Sequence, residues 1–153
     1  MLRISKLTDY GTVILADLAE HSAKPESASE VAERTGLGVP TVRKLLKLLA
    51  RSGLVTSTRG AQGGYRLART PDRITAADVI DALEGPVSIT DCSVSSRTCQ
   101  IEANCTVGHA WQRINTAIRD ALSEVSLSDL QSANARVSRF EFAGMPIHIE
   151  PKN

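Results

Sequence analysis

The first half of the chain alternates between helical and strand-like hydrophobic spacing, with a clear break at each change. Leu7, Tyr10, Ile14, Leu15 and Leu18 recur at three- and four-residue steps and predict a helix over residues 8–21, capped by Thr8 or Asp9 and broken by Lys24-Pro25-Glu26. Ser27-Ala28-Ser29-Glu30 has the spacing of a capping box and opens a short helix over 28–35, with Gly36 suited to its left-handed stop. After the turn Leu37-Gly38-Val39, Pro40 starts a third helix that runs to Ser52, with Val42, Leu45, Leu46 and Leu49 as its apolar stripe. Leu54–Thr58 and Tyr65–Ala68 are β-branched or alternating runs on either side of Arg59-Gly60-Ala61-Gln62-Gly63-Gly64, which predicts a β-hairpin. Thr75 with Asp78 then caps a fourth helix whose apolar face is Val79, Ile80 and Leu83, ended by Gly85-Pro86.

The second half is patterned differently. Residues 87–105 show no sustained period, and from Thr106 a longer helix begins. Its Val107, Trp111, Ile114, Ile118, Ala121 and Val125 alternate four- and three-residue steps, a seam for its own domain or for a second copy of the chain. Phe140, Phe142, Ile147 and Ile149 hint at two short alternating runs around Gly144, with a flexible tail the other reading. The expected organisation is a unit over 1–86, a cysteine-bearing loop and long helix over 87–130, and an extension over 131–153.

Helix, short helix, turn, helix and two-stranded wing form the order of a winged helix-turn-helix, giving a mainly α fold with one small β-hairpin. Charge sharpens that reading. The net charge is only +1, yet residues 39–73 hold eight Lys/Arg against the single acid Asp72. Such a stretch suits a phosphate-facing surface, although a solvated face or a protein-binding module would share the pattern. A helix fits the major groove of DNA, so Thr41, Arg43 and Lys44 at the start of the third helix are candidates for base edges, and Lys47 and Arg51 for phosphates. Arg59, at the hairpin tip, is placed to enter a narrow minor groove. The expected partner is double-stranded DNA.

Cys92, Cys99 and Cys105 are the only cysteines and share a 14-residue window. With no apolar run of membrane-spanning length and no apolar leader at residues 1–10, the expected location is the cytoplasm, where such a cluster points to metal or redox chemistry. Thiolates suit iron–sulfur clusters, zinc or copper. The spacing Cys92-x6-Cys99-x5-Cys105-x3-His109 lacks the close pairs usual in structural zinc sites. A reversible Cys99–Cys105 disulfide is the metal-free alternative. No catalytic Ser-His-Asp set, H-E-x-x-H or phosphate-cradling Gly-Lys motif is present, so an enzyme is not expected.

The opening Met1-Leu2-Arg3-Ile4-Ser5-Lys6-Leu7-Thr8-Asp9-Tyr10, the wing Arg59-Gly60-Ala61-Gln62-Gly63-Gly64-Tyr65 and the three-cysteine loop before a long helix together resemble the IscR-like regulators of the Rrf2 family, over about residues 1–130. The resemblance implies a homodimer with long helices crossing between subunits, a palindromic operator, and an iron–sulfur cluster whose state changes DNA affinity. That cluster is [2Fe-2S], with [4Fe-4S] as the other type, held by Cys92, Cys99 and Cys105. For the fourth ligand the resemblance offers two positions. One is His109, three spacer residues beyond Cys105 where the IscR branch has two; the other is Asp9, matching an aspartate that a nitric-oxide-sensing branch donates from the other subunit. By analogy with regulators of SUF iron–sulfur assembly genes, the expected role is a repressor of cluster-assembly genes.

Overall fold

The computed structural model describes residues 4–90, 106–133, 140–142 and 145–147. Helices α1 (Lys6–Glu20), α2 (Ala28–Thr35) and α3 (Val39–Arg51) lead into strands β1 (Val55–Thr58) and β2 (Gly64–Leu67). A single 3-10 turn (Pro71–Arg73), then α4 (Ala76–Leu83), α5 (Gly108–Glu124) and α6 (Leu127–Ala133) follow, and β3 (Phe140–Phe142) pairs antiparallel with β4 (Met145–Ile147). No described helix is long and apolar enough to cross a membrane.

The core forms where the apolar stripes of the first three helices converge. Ile14, Leu15, Val31, Val42, Leu45, Leu46 and Leu49 are fully buried, and Leu54, Val55, Ile74 and Val79 close over them. Burying a Leu or Ile side chain contributes roughly 1.5–3 kcal/mol each, so this layer is the main source of stability. Both predicted capping boxes are present. Ser27 Oγ accepts the Glu30 N–H at 3.2 Å while Glu30 accepts the Ser27 N–H at 2.7 Å. The Ser27 backbone N–H and the Ser27 hydroxyl, with Lys24 nearby, hold the Glu30 carboxyl down at about 2. Thr75 and Asp78 repeat the pattern at α4.

Two boundaries differ from the expectation for physical reasons. α1 starts at Lys6, and Ser5 rather than Thr8 or Asp9 caps it. Glu84, from just beyond α4, accepts the Ser5 N–H at 2.9 Å and the Thr8 hydroxyl, so a carboxylate sits on the positive end of the helix and extends it. Both bonds lower the Glu84 pKa. At the other end α1 stops at Glu20, where His21 takes the C-cap. Helix α6 was not foreseen. It returns the chain to the core, with Leu127 fully buried and the Leu127 N–H bonded to the Ile74 carbonyl at 2.7 Å. The two alternating runs expected near the end of the chain fall on β3 and β4; Gly144 and Ile149 lie outside the described residues.

An ion cluster ties the first two helices to the wing. Arg34, near the end of α2, donates from Nε and Nη2 to the two carboxylate oxygens of Asp17 in α1, and from Nη1 to Glu26, all at 2.8 Å. Asp17 and Glu26 are buried, so their charges depend on this partner. Glu26 in turn exchanges two backbone hydrogen bonds with Tyr65 of β2, at 2.8 and 2.7 Å. Replacing Arg34 with Met takes from two buried carboxylates the partner that bonds both, leaving Glu26 only the more distant Lys24, at 3.9 Å. The expected loss is about 2 kcal/mol in urea unfolding, below the ~3–5 kcal/mol of a fully buried pair because the Arg34 side chain is 28% exposed. An unchanged unfolding midpoint would contradict this account.

Candidate nucleic-acid interface and cysteine region

The apolar stripe of α3 fixes what the helix shows to solvent. Val42, Leu45, Leu46 and Leu49 face the core, so Arg43, Lys44, Lys47 and Arg51 stand exposed on the opposite face, with Thr41 half-buried at its edge. Arg43, Lys47 and Arg51 succeed one another at four-residue steps. Like charges so spaced destabilise a helix by about 0.2–0.5 kcal/mol per pair, and α3 has no acid in its first turn to offset them. Among the described residues none of these four has an ion-pair partner, whereas Lys24, Arg34, Arg69 and Arg119 are all paired. The stripe is therefore a concentrated, uncompensated positive surface.

The wing lies beside it, and its glycines have separate steric reasons. Gly60 takes φ 117°, a conformation that side-chain-bearing residues rarely adopt. At Gly63 a Cβ would lie 2.2 Å from the Thr58 carbonyl oxygen, so the turn can fold back on β1 only without a side chain. At Gly64 a Cβ would sit 2.6 Å from the Glu26 carbonyl oxygen, which blocks the bridge between Glu26 and Tyr65. Arg59, directly after β1, is exposed at the turn. Arg66 is also exposed, and the register places it opposite Thr56. The sequence reading missed Arg66; its alternation with the inward Leu67 was the available signal.

The cysteine region lies between two described segments. Cys92, Cys99 and Cys105 lie outside the described residues. Before them, Val87 N–H donates to Asp81 of α4 at 3.3 Å and Ile89 N–H donates to the Asn115 side chain of α5 at 3.2 Å. After them, His109 is exposed in the first turn of α5. Three soft thiolates with an imidazole four residues after the last are a donor set that fits an iron–sulfur cluster. Asp9 is exposed in the first turn of α1 and lines a groove of about 1040 Å³ together with Ile80, Leu122, Val125 and Leu130. His109 is thirteen residues from Leu122 along α5, about 20 Å. His109 and Asp9 of one chain are thus at opposite ends of that helix and do not converge.

The seam predicted for α5 is only half used within the chain. Ile118, Ala121 and Val125 are partly covered, but Val107, Trp111 and Ile114 remain 54%, 41% and 44% exposed. An apolar ridge thus projects from one end of α5, and an apolar groove lies at its other end.

Comparison with known proteins places this architecture. Residues 4–133 match the family described as Rrf2, iron-dependent transcriptional regulator. The chain is 34% identical over 130 residues to protein rrf2 of Nitratidesulfovibrio vulgaris, covering 84% of this chain and 87% of that protein. Among solved structures, CymR of B. subtilis, described as its global cysteine regulator, is 37% identical with a TM-score of 0.65, covering 86% of this chain and 98% of that one. IscR of T. potens is 34% identical with a TM-score of 0.62, covering 89% and 90%.

Proposed function

We propose a specific role from one premise: the chain belongs to the Rrf2 family and is a DNA-binding transcriptional regulator, not an enzyme. The proposed role is a homodimeric repressor whose affinity for a palindromic operator responds to an iron–sulfur cluster and which governs cluster-assembly genes. The observation that carries the DNA-facing part is the unpaired cationic stripe of α3 beside the wing. Thr41, Arg43 and Lys44 read base edges at the start of the helix, Lys47 and Arg51 hold phosphates, and Arg59 reaches the minor groove. Phosphates would relieve the mutual repulsion of the stripe, releasing counterions as they do so. Lys47→Ala is expected to weaken operator and random DNA alike and to lower the slope of log affinity against log salt by about 0.9, whereas Arg59→Ala weakens the operator by about tenfold. Fluorescence anisotropy across a salt series measures both, and an unchanged affinity for Arg59→Ala removes the wing from the readout.

The homodimer is supported by the exposed ridge Val107–Trp111–Ile114 and the apolar groove containing Leu122 and Val125. The same self-complementary patch on two copies makes a closed two-fold pair. Trp111→Glu is expected to give monomers in sedimentation at micromolar concentration, with the far-ultraviolet circular dichroism of the parent. A dimer that persists would place the interface elsewhere.

Cys92, Cys99 and Cys105 are the proposed cluster ligands, of type [2Fe-2S] or [4Fe-4S], with His109 or a partner subunit's aspartate at position nine as the fourth. A cluster held there would supply iron–sulfide bonds open to oxidation or loss. Anaerobically purified protein is expected to absorb in the visible and to contain iron and sulfide, and the triple variant Cys92→Ala, Cys99→Ala, Cys105→Ala is expected to be colourless. His109→Ala and Asp9→Ala then separate the two fourth ligands. A second reading has its own support in the similarity to CymR: the cysteines act as a metal-free thiol sensor. A colourless wild type with a reversible Cys99–Cys105 disulfide would replace the cluster reading with that one.

A further inference from the structure

Helix α5 meets the winged-helix unit through a partly covered apolar face and through two polar attachments of different kind. At its C-terminal end the attachment is backbone: Ala76 N–H donates to the Val125 carbonyl at 2.8 Å and Leu127 N–H to the Ile74 carbonyl at 2.7 Å. Such a bridge does not depend on side chains and behaves as a pivot. Midway along α5 the polar attachment to α4 is an ion pair. Arg119 donates from Nη1 and Nη2 to the two carboxylate oxygens of Asp81 in α4, at 3.2 and 2.6 Å. The same Asp81 carboxylate accepts the Val87 N–H, and one turn up α5 the Asn115 side chain accepts the Ile89 N–H. Ile89 stands three residues before Cys92.

We infer that the Asp81–Arg119 pair, together with Asn115, is a latch that couples the cysteine region to the orientation of the DNA-binding unit. Asp81 is shared between two loyalties, the α5 guanidinium and the backbone that leads to the first cysteine. A change in the cysteine region that pulls on Val87 and Ile89 therefore competes directly with the contact that sets the angle between α4 and α5. α4 packs on α1 and α3, so its angle is the angle of the recognition helix. The geometry amplifies the effect. Arg119 is six residues from Val125 and His109 sixteen, about 9 and 24 Å along the helix, so a slip of about 1 Å at the latch displaces the start of α5 by roughly 2–3 Å. The pair is 44% and 28% exposed, and exposed pairs are individually weak. Weakness suits the role, since a contact that is readily exchanged is one that a ligand event can bias. Arg119, Asp81 and Asn115 are positioning residues: none of them is assigned to DNA or to the thiol ligands.

This inference rests on the proposed response to the cysteines, and the test separates the two. Operator affinity is measured for full-length wild type and for the triple cysteine-to-alanine variant, both purified anaerobically, and again with Arg119→Met placed in each. In the wild-type background the cysteines are expected to change affinity by about tenfold, within the ~5–150-fold range of allosteric couplings. With Arg119→Met that ratio is expected to fall to within about twofold, a non-additivity that a merely structural loss would not produce. Asp81→Asn, which keeps an acceptor for Val87 but loses the charge, is expected to do the same and serves if Arg119→Met is poorly folded. Amide exchange supplies the second readout: residues 76–90 should exchange faster in Arg119→Met while residues 39–58 keep their protection. A cysteine-dependent ratio that survives both substitutions overturns the latch and leaves the sensing reading standing. A wild type indifferent to its cysteines overturns the sensing reading and the latch with it. Unchanged exchange in residues 76–90 overturns the latch on structural grounds.

Discussion

Arg34 sets the frame in which every DNA-facing part of this molecule is held. It is one side chain with a planar fork of donors, and it spends that fork on two buried carboxylates from different elements. Asp17 fixes it to α1, and Glu26 fixes it to the segment that runs beside the wing. Because Glu26 also pairs backbone to backbone with Tyr65, the wing is attached to the helical core at its outer strand as well as through Val55. A two-stranded hairpin alone is marginal in water. The bridge and the ion cluster give it a third edge, and so give Arg59 a fixed base from which to reach. The pKa of Arg34 is raised by its bonds to Asp17 and then Glu26, as expected where both charges are mutually dependent.

The wing sequence follows from that attachment. A side chain at Gly64 would collide with Glu26, one at Gly63 with β1, and one at Gly60 would strain the backbone. Three glycines that look like a generic flexible turn are therefore three distinct steric requirements, and only the one at Gly60 concerns backbone freedom. The basic character of the turn and of α3 is a separate matter. Apart from Arg51 in the last turn, it costs helix stability through like-charge repulsion, which an external polyanion would relieve.

The elements that could be read from sequence are those whose signals are local. Ser27 with Glu30, and Thr75 with Asp78, announce helix starts within four residues, and both boxes are present. The stripe Val42–Leu49 declares the buried face of α3 and, by subtraction, the cationic one. What escaped the sequence depends on distant partners. Nothing near Ser5 reveals that Glu84 will extend α1 toward it across 79 residues. Nothing near Arg34 distinguishes it from an ordinary last-turn arginine until Asp17 and Glu26 arrive. Leu127 sits in a seven-residue helix too short for periodicity to stand out, yet it is fully buried against the turn at Ile74. Of the candidate residues, the exposed cations of α3 were legible because exposure opposite an apolar stripe is a local property, and Arg59 because the turn that carries it is, whereas Arg66 on β2 was missed. The separation of His109 from Asp9 was not, because it is set by how α5 lies across the whole domain.

That separation changes how the fourth ligand has to be considered. Within one chain, His109 stands at the start of α5, four residues after the last cysteine in sequence, and Asp9 stands at the far end, beside Leu122 and Val125. A histidine ligand would keep the thiol site within one subunit, joined to the DNA-binding unit both through the backbone of residues 84–90 and through α5 and the contacts that hold it. An aspartate ligand donated by a second subunit, as the resemblance implies, would join the start of one copy's α1 directly to the cysteine region of the other. In the first arrangement the proposed Asp81–Arg119 latch would lie between the thiol site and the DNA-binding unit; the second would offer a path that bypasses it. On the proposed reading, the identity of one ligand therefore decides whether a response would pass through contacts within one subunit or between two.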